Sequence, residues 1–396
     1  MTASSQLICP SCGGHDVDAF YGVDRVPTNS VLLLESADEA RNIGRGDIRL
    51  AFCRGCGHIH NAAFDPRLTE YSGRYESTQG YSSTFNAFHR RLADDMVERF
   101  DLHGKKIIEI GCGNGEFLVL LCEAGANAGL GFDPAFLPGR VPIADDTQVE
   151  FVADFYSDRY GDRQADFVTC KMTLEHIIDT GHFIGTVRDA IGERLDTLVC
   201  FQVPNARYVV GEQAFWDVYY EHCSYFSHGS LARLFRQQRF DVFDLWTDYD
   251  DQYLMVAARP TAEPTSPSLD VEDDLAAVAD EVARFAAEVP GRVAGWQQEL
   301  AAWRDAGRRV FLWGGGSKGV AFLTTLGLTD EIAGVIDINP NKAGTFMAGT
   351  GHEIMTPDAL PGLQPDVVIV MNPVYMDEIA ADLRARGLAP ELRPVE

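Results

Sequence analysis

The chain has 396 residues, of which 33 are basic and 59 acidic, giving a net charge of −26 at pH 7. A surface that negative repels phosphate backbones and anionic lipid, which argues against nucleic acid and membrane as partners. Hydrophobic residues at 46% and charged residues at 23% suit a globular chain with two or three cores. With no basic-then-apolar leader and no membrane-length apolar run, it reads as cytoplasmic.

The first motif is a pair of C-x-x-C-G knuckles, Cys9–Cys12 followed by Gly13 and Cys53–Cys56 followed by Gly57. The glycine after each second cysteine permits the left-handed backbone that aims two sulfurs at one point. Four thiolates make a closed tetrahedral set suited to Zn2+, with no open position for catalysis, so the expected zinc is structural. His15, His58 and His60 are then bystanders. A pair of disulfides is disfavoured in a reducing compartment, where Cys112, Cys122, Cys170, Cys200 and Cys223 read as buried free thiols.

From Thr84 to Phe100 apolar residues fall at helical spacing, at Phe85, Phe88, Leu92, Met96, Val97 and Phe100. Strand-like segments follow at 106–110, 129–133, 149–152, 166–171 and 197–203. Strands alternating with helices imply a doubly wound parallel sheet, an α/β fold whose ligands bind at the carboxyl ends of the strands. The first strand runs into Glu109-Ile-Gly111-Cys-Gly113-Asn-Gly115, and Asp133 ends the second strand 24 residues after Glu109. Glycines let a backbone pass close under a ligand, the helix start offers free N–H groups, and an acid at that strand end can accept both ribose hydroxyls. A dinucleotide fingerprint would need its third glycine at Leu118. The pattern E-x-G-C-G-x-G instead resembles motif I of class I methyltransferases, which bind S-adenosyl-L-methionine. That implies contacts to the cofactor from Glu109, Gly111, Gly113, Gly115 and Asp133. It also places Asp154 and Phe155, after the third strand, near adenine, and 170–176, after the fourth, beside the methyl donor.

Past the fifth strand, Phe215 to His228 packs Tyr219, Tyr220, Glu221, His222 and Tyr225 into one short loop. Tyrosines can wall a water-poor cavity, and a histidine titrating near neutrality can take a proton beside an orienting carboxylate. Tyr71, Tyr75 and Tyr81 could cover the same pocket. A Pro/Ser/Thr-rich linker at 260–270 precedes an apolar stripe at Val271, Leu275, Val278, Val282, Phe285 and Val289. The stripe resumes after Pro290-Gly291, which reads as a helical connector. The last unit opens with a strand at 310–313 and the turn Gly314-Gly-Gly-Ser317-Lys318-Gly319, which could cradle phosphate although it is no Walker A loop. Strands at 334–339 and 366–372 follow, the latter ending on Asn372.

Taken together and in this order, the zinc knuckles, the methyltransferase core, the Tyr-x-Glu-His loop at 219–222 and the G-x-x-x-K-G turn resemble the sugar C-methyltransferases, over nearly the whole chain. The resemblance implies a zinc-binding domain at 1–80 and a methyltransferase core at 81–260. A linker and connector at 261–305 and a Rossmann-like domain at 306–396 would follow. It implies methylation of a carbon next to a ketone of a nucleotide-linked deoxysugar. Tyr219, Glu221 and His222 would form the catalytic loop with His222 as base, and His176 and Tyr75 would face the substrate. Gly314, Ser317, Lys318 and Asn372 would help hold the nucleotide-sugar, and the enzyme would be a monomer or weak homodimer. Val26-Pro-Thr-Asn-Ser30 only approximates the family's proline–asparagine segment. The competing expectations are O- or N-methylation of another small molecule and, from a different class, a zinc-ribbon nucleic-acid binder on a degenerate methyltransferase fold.

Overall fold

The computed structural model describes residues 7–263 and 266–396, so Pro264 and Thr265 of the expected linker lie outside the described residues. Three sheets order these residues. The N-terminal sheet is antiparallel and runs Val17–Pro27, Arg45–Cys53, Ile59–Asn61, then Ser224–Tyr225. Its last strand comes from the aromatic loop, so that loop is not a free surface excursion. Ile59 faces Tyr225 and His60 faces Ser224 in the register.

The central sheet has the spatial order Phe240–Asp248, Tyr253–Pro260, Leu198–Pro204, Phe167–Lys171, Lys106–Ile110, Ala128–Phe132, Gln148–Val152. Its five expected strands are mutually parallel, and reading outward from Lys106–Ile110 the order reverses, which opens a crevice at their carboxyl ends. Sequence patterning gave no sign of the two further strands, Phe240–Asp248 and Tyr253–Pro260. They form a hairpin, antiparallel to Leu198–Pro204, and finish the class I methyltransferase arrangement. The helix Ser83–Phe100 starts where Ser82 Oγ accepts the Phe85 N–H at 3.1 Å, and buries Phe85, Phe88, Leu92, Met96 and Val97 against the sheet.

The C-terminal sheet is wholly parallel: Ile354–Met355, Gly334–Ile336, Val310–Trp313, Val367–Val370, Glu391–Pro394. Before it, Leu275–Asp305 is one helix, continuous through Pro290. The proline is exposed, so the hydrogen bond its ring nitrogen cannot make is lost on the solvent side. Val271, assigned to the stripe by spacing, stands in a short turn before the helix and is half-exposed. The helix buries Val278, Phe285 and Trp296 in a core shared with Trp216 and Tyr220 of the aromatic loop and Phe322 of the helix Ser317–Leu326. Trp296 meets Phe322 edge-on at 5.2 Å, and Phe215 stacks on it at 6.1 Å. Polar contacts tie the last unit to the central one. Glu378 takes the Ser83 N–H at 2.9 Å and the Ser82 hydroxyl at 2.7 Å, covering the start of Ser83–Phe100. Among the described residues no helix is long and apolar enough to cross a membrane.

Candidate active site

One cavity of about 770 Å³ lies between the carboxyl ends of the central strands, the aromatic loop and the glycine turn of the C-terminal unit. It brings together Tyr75, Glu109, Gly111, Gly113, Asp133, Asp154 and Phe155 with His176, Tyr219 and His222, and reaches Gly314, Ser317, Lys318 and Asn372. Gly115 and Glu221 stand behind its wall.

At one end the glycine loop has the shape a close-lying ligand needs. Gly111 has φ +72° and a Cβ there would fall 1.9 Å from Thr173 Oγ1, while Gly115, at φ +91°, would strike the Phe151 ring at 2.3 Å. Gly113, at φ +55°, borders open space. Asp133 draws the loop in, accepting the Gly113 N–H at 2.9 Å and the Ala135 N–H at 2.8 Å, and each of its oxygens keeps a second lone pair. Asp154 accepts the Tyr160 hydroxyl at 2.6 Å and pairs with Arg159, beside an exposed Phe155 ring. Buried polar atoms without protein partners line the same space: Glu109 Oε2, both oxygens of Glu175 and both amide atoms of Gln202. Burial pushes the Glu109 carboxyl up to about 7 and lowers the Lys171 ammonium, whose Nζ lies 3.0 Å from His89 Nε2. Groups left so are satisfied by a bound molecule or water. Open space beside Gly113, lone pairs left on Asp133 and these unpartnered polar atoms are features that fit S-adenosylmethionine.

In the middle of the cavity two histidines meet edge to face at 5.0 Å. The Tyr219 hydroxyl lies 2.7 Å from His222 Nε2, and the Tyr71 hydroxyl 3.1 Å from His176 Nδ1. Burial drives His222 well below its ordinary value, helped by His176 and Lys318, and lowers His176 to about 4. Burial therefore holds both rings neutral at neutral pH. Tyr75 packs on Tyr71 with centroids 5.3 Å apart. Glu221 points away from the cavity. Its carboxylate takes the Ser30 N–H at 2.9 Å, the Ser30 hydroxyl and the Asn29 amide at 3.4 Å, and burial lifts it to about 7. The approximate proline–asparagine segment therefore anchors the loop from behind.

At the far end the turn at Gly314 has φ +124°, and Gly315 N–H donates to Asp337 at 2.9 Å. Lys318 Nζ pairs with Asp217 at 2.7 Å and with Gln252 Oε1 at 3.0 Å. Gln252 and Asn372 exchange two amide hydrogen bonds of 3.0 Å, and Ser317 Oγ meets Ser30 Oγ at 2.7 Å. Sequence reasoning did not single out Lys171 and Glu175 within 170–176 or Asp217 within the aromatic loop, and it missed Gln252 altogether. Glu175 had a signal, standing next to His176 at a strand end. Gln252 had none, because its place depends on a hairpin turn in which Tyr249, Asp250 and Asp251 all take positive φ.

Apart from the cavity, the four knuckle sulfurs converge. Cys9 and Cys56 Sγ are 3.7 Å apart, as are Cys12 and Cys53 Sγ. The edge of a tetrahedron of sulfurs about 2.3 Å from a metal is about 3.8 Å, so the set fits zinc. Gly13 and Gly57 have φ +72° and +81°, the left-handed turns the knuckles require.

The family of methyltransferase domains matches residues 85–245, and the C-methyltransferase C-terminal domain matches residues 257–387. The C-methyltransferase NovU of Streptomyces niveus is 28% identical over 323 residues, which cover 78% of this chain and 76% of that protein. Among solved structures, the 1,6-didemethyltoxoflavin-N1-methyltransferase of Burkholderia thailandensis is 18% identical, with a TM-score of 0.36 over 46% of this chain and 82% of its own. The magnesium protoporphyrin IX methyltransferase of Synechocystis is 12% identical, with a TM-score of 0.36 over 47% of this chain and 90% of its own.

Proposed function

We propose, for a chain that belongs to the S-adenosylmethionine-dependent C-methyltransferases, that the methyl acceptor is a carbon beside the ketone of a nucleotide-linked deoxysugar, with His222 as the base. The observation that carries this reading is the continuous cavity, with an open glycine loop at one end and a second glycine turn with a lysine at the other. Two neutral histidines stand between them. A carbon next to a ketone is a poor nucleophile until its proton is removed and the resulting enolate oxygen is stabilised. His222 takes the proton, the Tyr219 hydroxyl orients its ring, and the hydrogen-bonded Tyr71–His176 pair is left to stabilise the oxygen, while the Tyr75 hydroxyl is held by the Glu221 carboxylate behind it. Bound S-adenosylmethionine would supply an electrophilic methyl group on a positively charged sulfur. Aromatic walls keep water from competing for it. Gly314, Ser317, Lys318 and Asn372 would hold the nucleotide end, and the four cysteines a structural zinc.

Incubation with 13C-methyl cofactor and a panel of nucleotide-linked ketosugars, read by NMR, tests the proposal. The expected product carries the label bonded to carbon. A label on oxygen or nitrogen would establish the competing heteroatom reading instead. Cofactor binding is checked separately: Asp133→Ala should weaken S-adenosylhomocysteine by about 1.5–3 kcal/mol, the worth of hydrogen bonds to a charged group. Unchanged calorimetric affinity would remove Asp133 from the site.

A further inference from the structure

Glu175 lies in the short turn Leu174–His176 just past the strand Phe167–Lys171. It is 1% exposed and lines the cavity, yet neither carboxyl oxygen has a partner. A buried carboxyl left so costs folding free energy, in contrast to Glu221, which Ser30 and Asn29 satisfy. His222 Nε2 lies 3.9 Å from its Oε1. The spacing is fixed through the backbone, because the Cys223 N–H, one residue past His222, donates to the Glu175 carbonyl at 2.9 Å.

We propose that Glu175 is the positioning residue for His222, its carboxylate balancing the imidazolium that forms when His222 takes the acceptor proton. This rests on the carbon-acid reading above. In that step the acceptor C–H bond breaks, its electron pair moves onto the carbonyl as an enolate, and the proton becomes a second N–H on His222. The enolate carbon then takes the methyl group, and the His222–Glu175 pair returns its extra proton to water as product leaves. The carboxylate–histidine pair of acyl-transfer enzymes uses the same two groups joined by a hydrogen bond, whereas here 3.9 Å separates them and the acid acts through its charge.

Burial pushes the Glu175 carboxyl up to about 8. Lys171 opposes this from the end of the preceding strand, which also carries Cys170, and His176 is its chain neighbour. From other elements Tyr71, His222, Tyr219, Cys223 and Tyr253 face it. Only the ionised carboxyl balances the imidazolium, so turnover should rise with pH through this group.

The test uses the full-length enzyme with Glu175→Gln and Glu175→Asp, first confirming by calorimetry that both bind S-adenosylhomocysteine like the parent. With a thymidine-diphosphate-linked 4-keto-6-deoxyhexose as probe in D₂O and S-adenosylhomocysteine in place of the donor, deuterium uptake should fall about 10- to 100-fold in Glu175→Gln. The limb near pH 8 should vanish there and return in Glu175→Asp. No uptake by the parent would overturn the carbon-acid reading and this inference with it. Parent-like uptake and pH profile in Glu175→Gln would overturn this inference alone. The donor atoms of Glu175, His176 and His222 also lie within 4.8 Å of one another. Loss of parental uptake on chelation that spares the cysteine-bound zinc would assign them to a cation instead.

Discussion

His222→Asn is expected to lose turnover by about 10²–10⁴-fold while cofactor affinity stays at the parent value, because general-base catalysis is worth about that much. The ring removed touches neither the glycine loop nor Asp133, so binding of S-adenosylhomocysteine should be untouched. Its pH behaviour separates this site from an ordinary histidine site. A solvated imidazole titrates near 6.5 and would give a rising limb there. In the structure burial holds His222 well below that value, so its proton is already gone throughout the neutral range. A rising limb at higher pH in the parent then belongs to buried carboxyls, Glu109 and Glu221 at about 7 and Glu175 at about 8. Glu221→Gln should have a smaller effect than His222→Asn, since its carboxylate faces Ser30 and Asn29 rather than the cavity. His176 is the rival base, equally neutral and 5.0 Å away, ring centre to ring centre. Deuterium uptake by the ketosugar that survives in His222→Ala and disappears in His176→Ala would transfer the role to His176.

The parts of this fold that follow from local pattern were readable in the sequence. Apolar runs placed the five parallel strands, and the glycines and Asp133 placed the loop, since chain reversal under a ligand needs those residue types at that spacing. The knuckle cysteines were readable for the same reason. The hairpin Phe240–Asp248 with Tyr253–Pro260 was not, because its pairing with Leu198–Pro204 is decided by distant strands and its turn by three non-glycine residues at positive φ. Contacts between units were equally hidden. Nothing local announces that Ser30 reaches Glu221 and Ser317, 191 and 287 residues away, or that Lys318 lies against Asp217. Such meetings depend on how three sheets pack around Trp296, Phe322 and Tyr220, a property of the assembled core.

Cys53→Ser should abolish zinc binding and carry most of the turnover with it, although no cysteine of the set lines the cavity. Cys53 is fully buried at the end of the strand Arg45–Cys53, its Sγ 3.7 Å from that of Cys12. A structural zinc site contributes about 10–16 kcal/mol of apparent binding free energy at pH 7, so losing one of four thiolates removes a large share of what orders this segment. The cluster itself is small, Cys9, Cys53 and Cys56 with Cys12 and Val17 packed on them, too little apolar surface to hold the knuckles without metal. From there the damage has a path. The Cys53 N–H donates to the His58 carbonyl at 2.9 Å, and the following strand Ile59–Asn61 pairs with Ser224–Tyr225, two residues past His222. Loss of the knuckle should therefore loosen the aromatic loop that carries His222 from outside, while Gly113 and Asp133 belong to another sheet and should bind S-adenosylhomocysteine within about twofold of the parent, a difference of about 0.4 kcal/mol. One zinc per chain in the parent, none in the variant, a lower melting temperature and turnover reduced at nearly constant cofactor affinity are the expected set. Metal analysis that finds folded, active parent without zinc would end the argument at its first step.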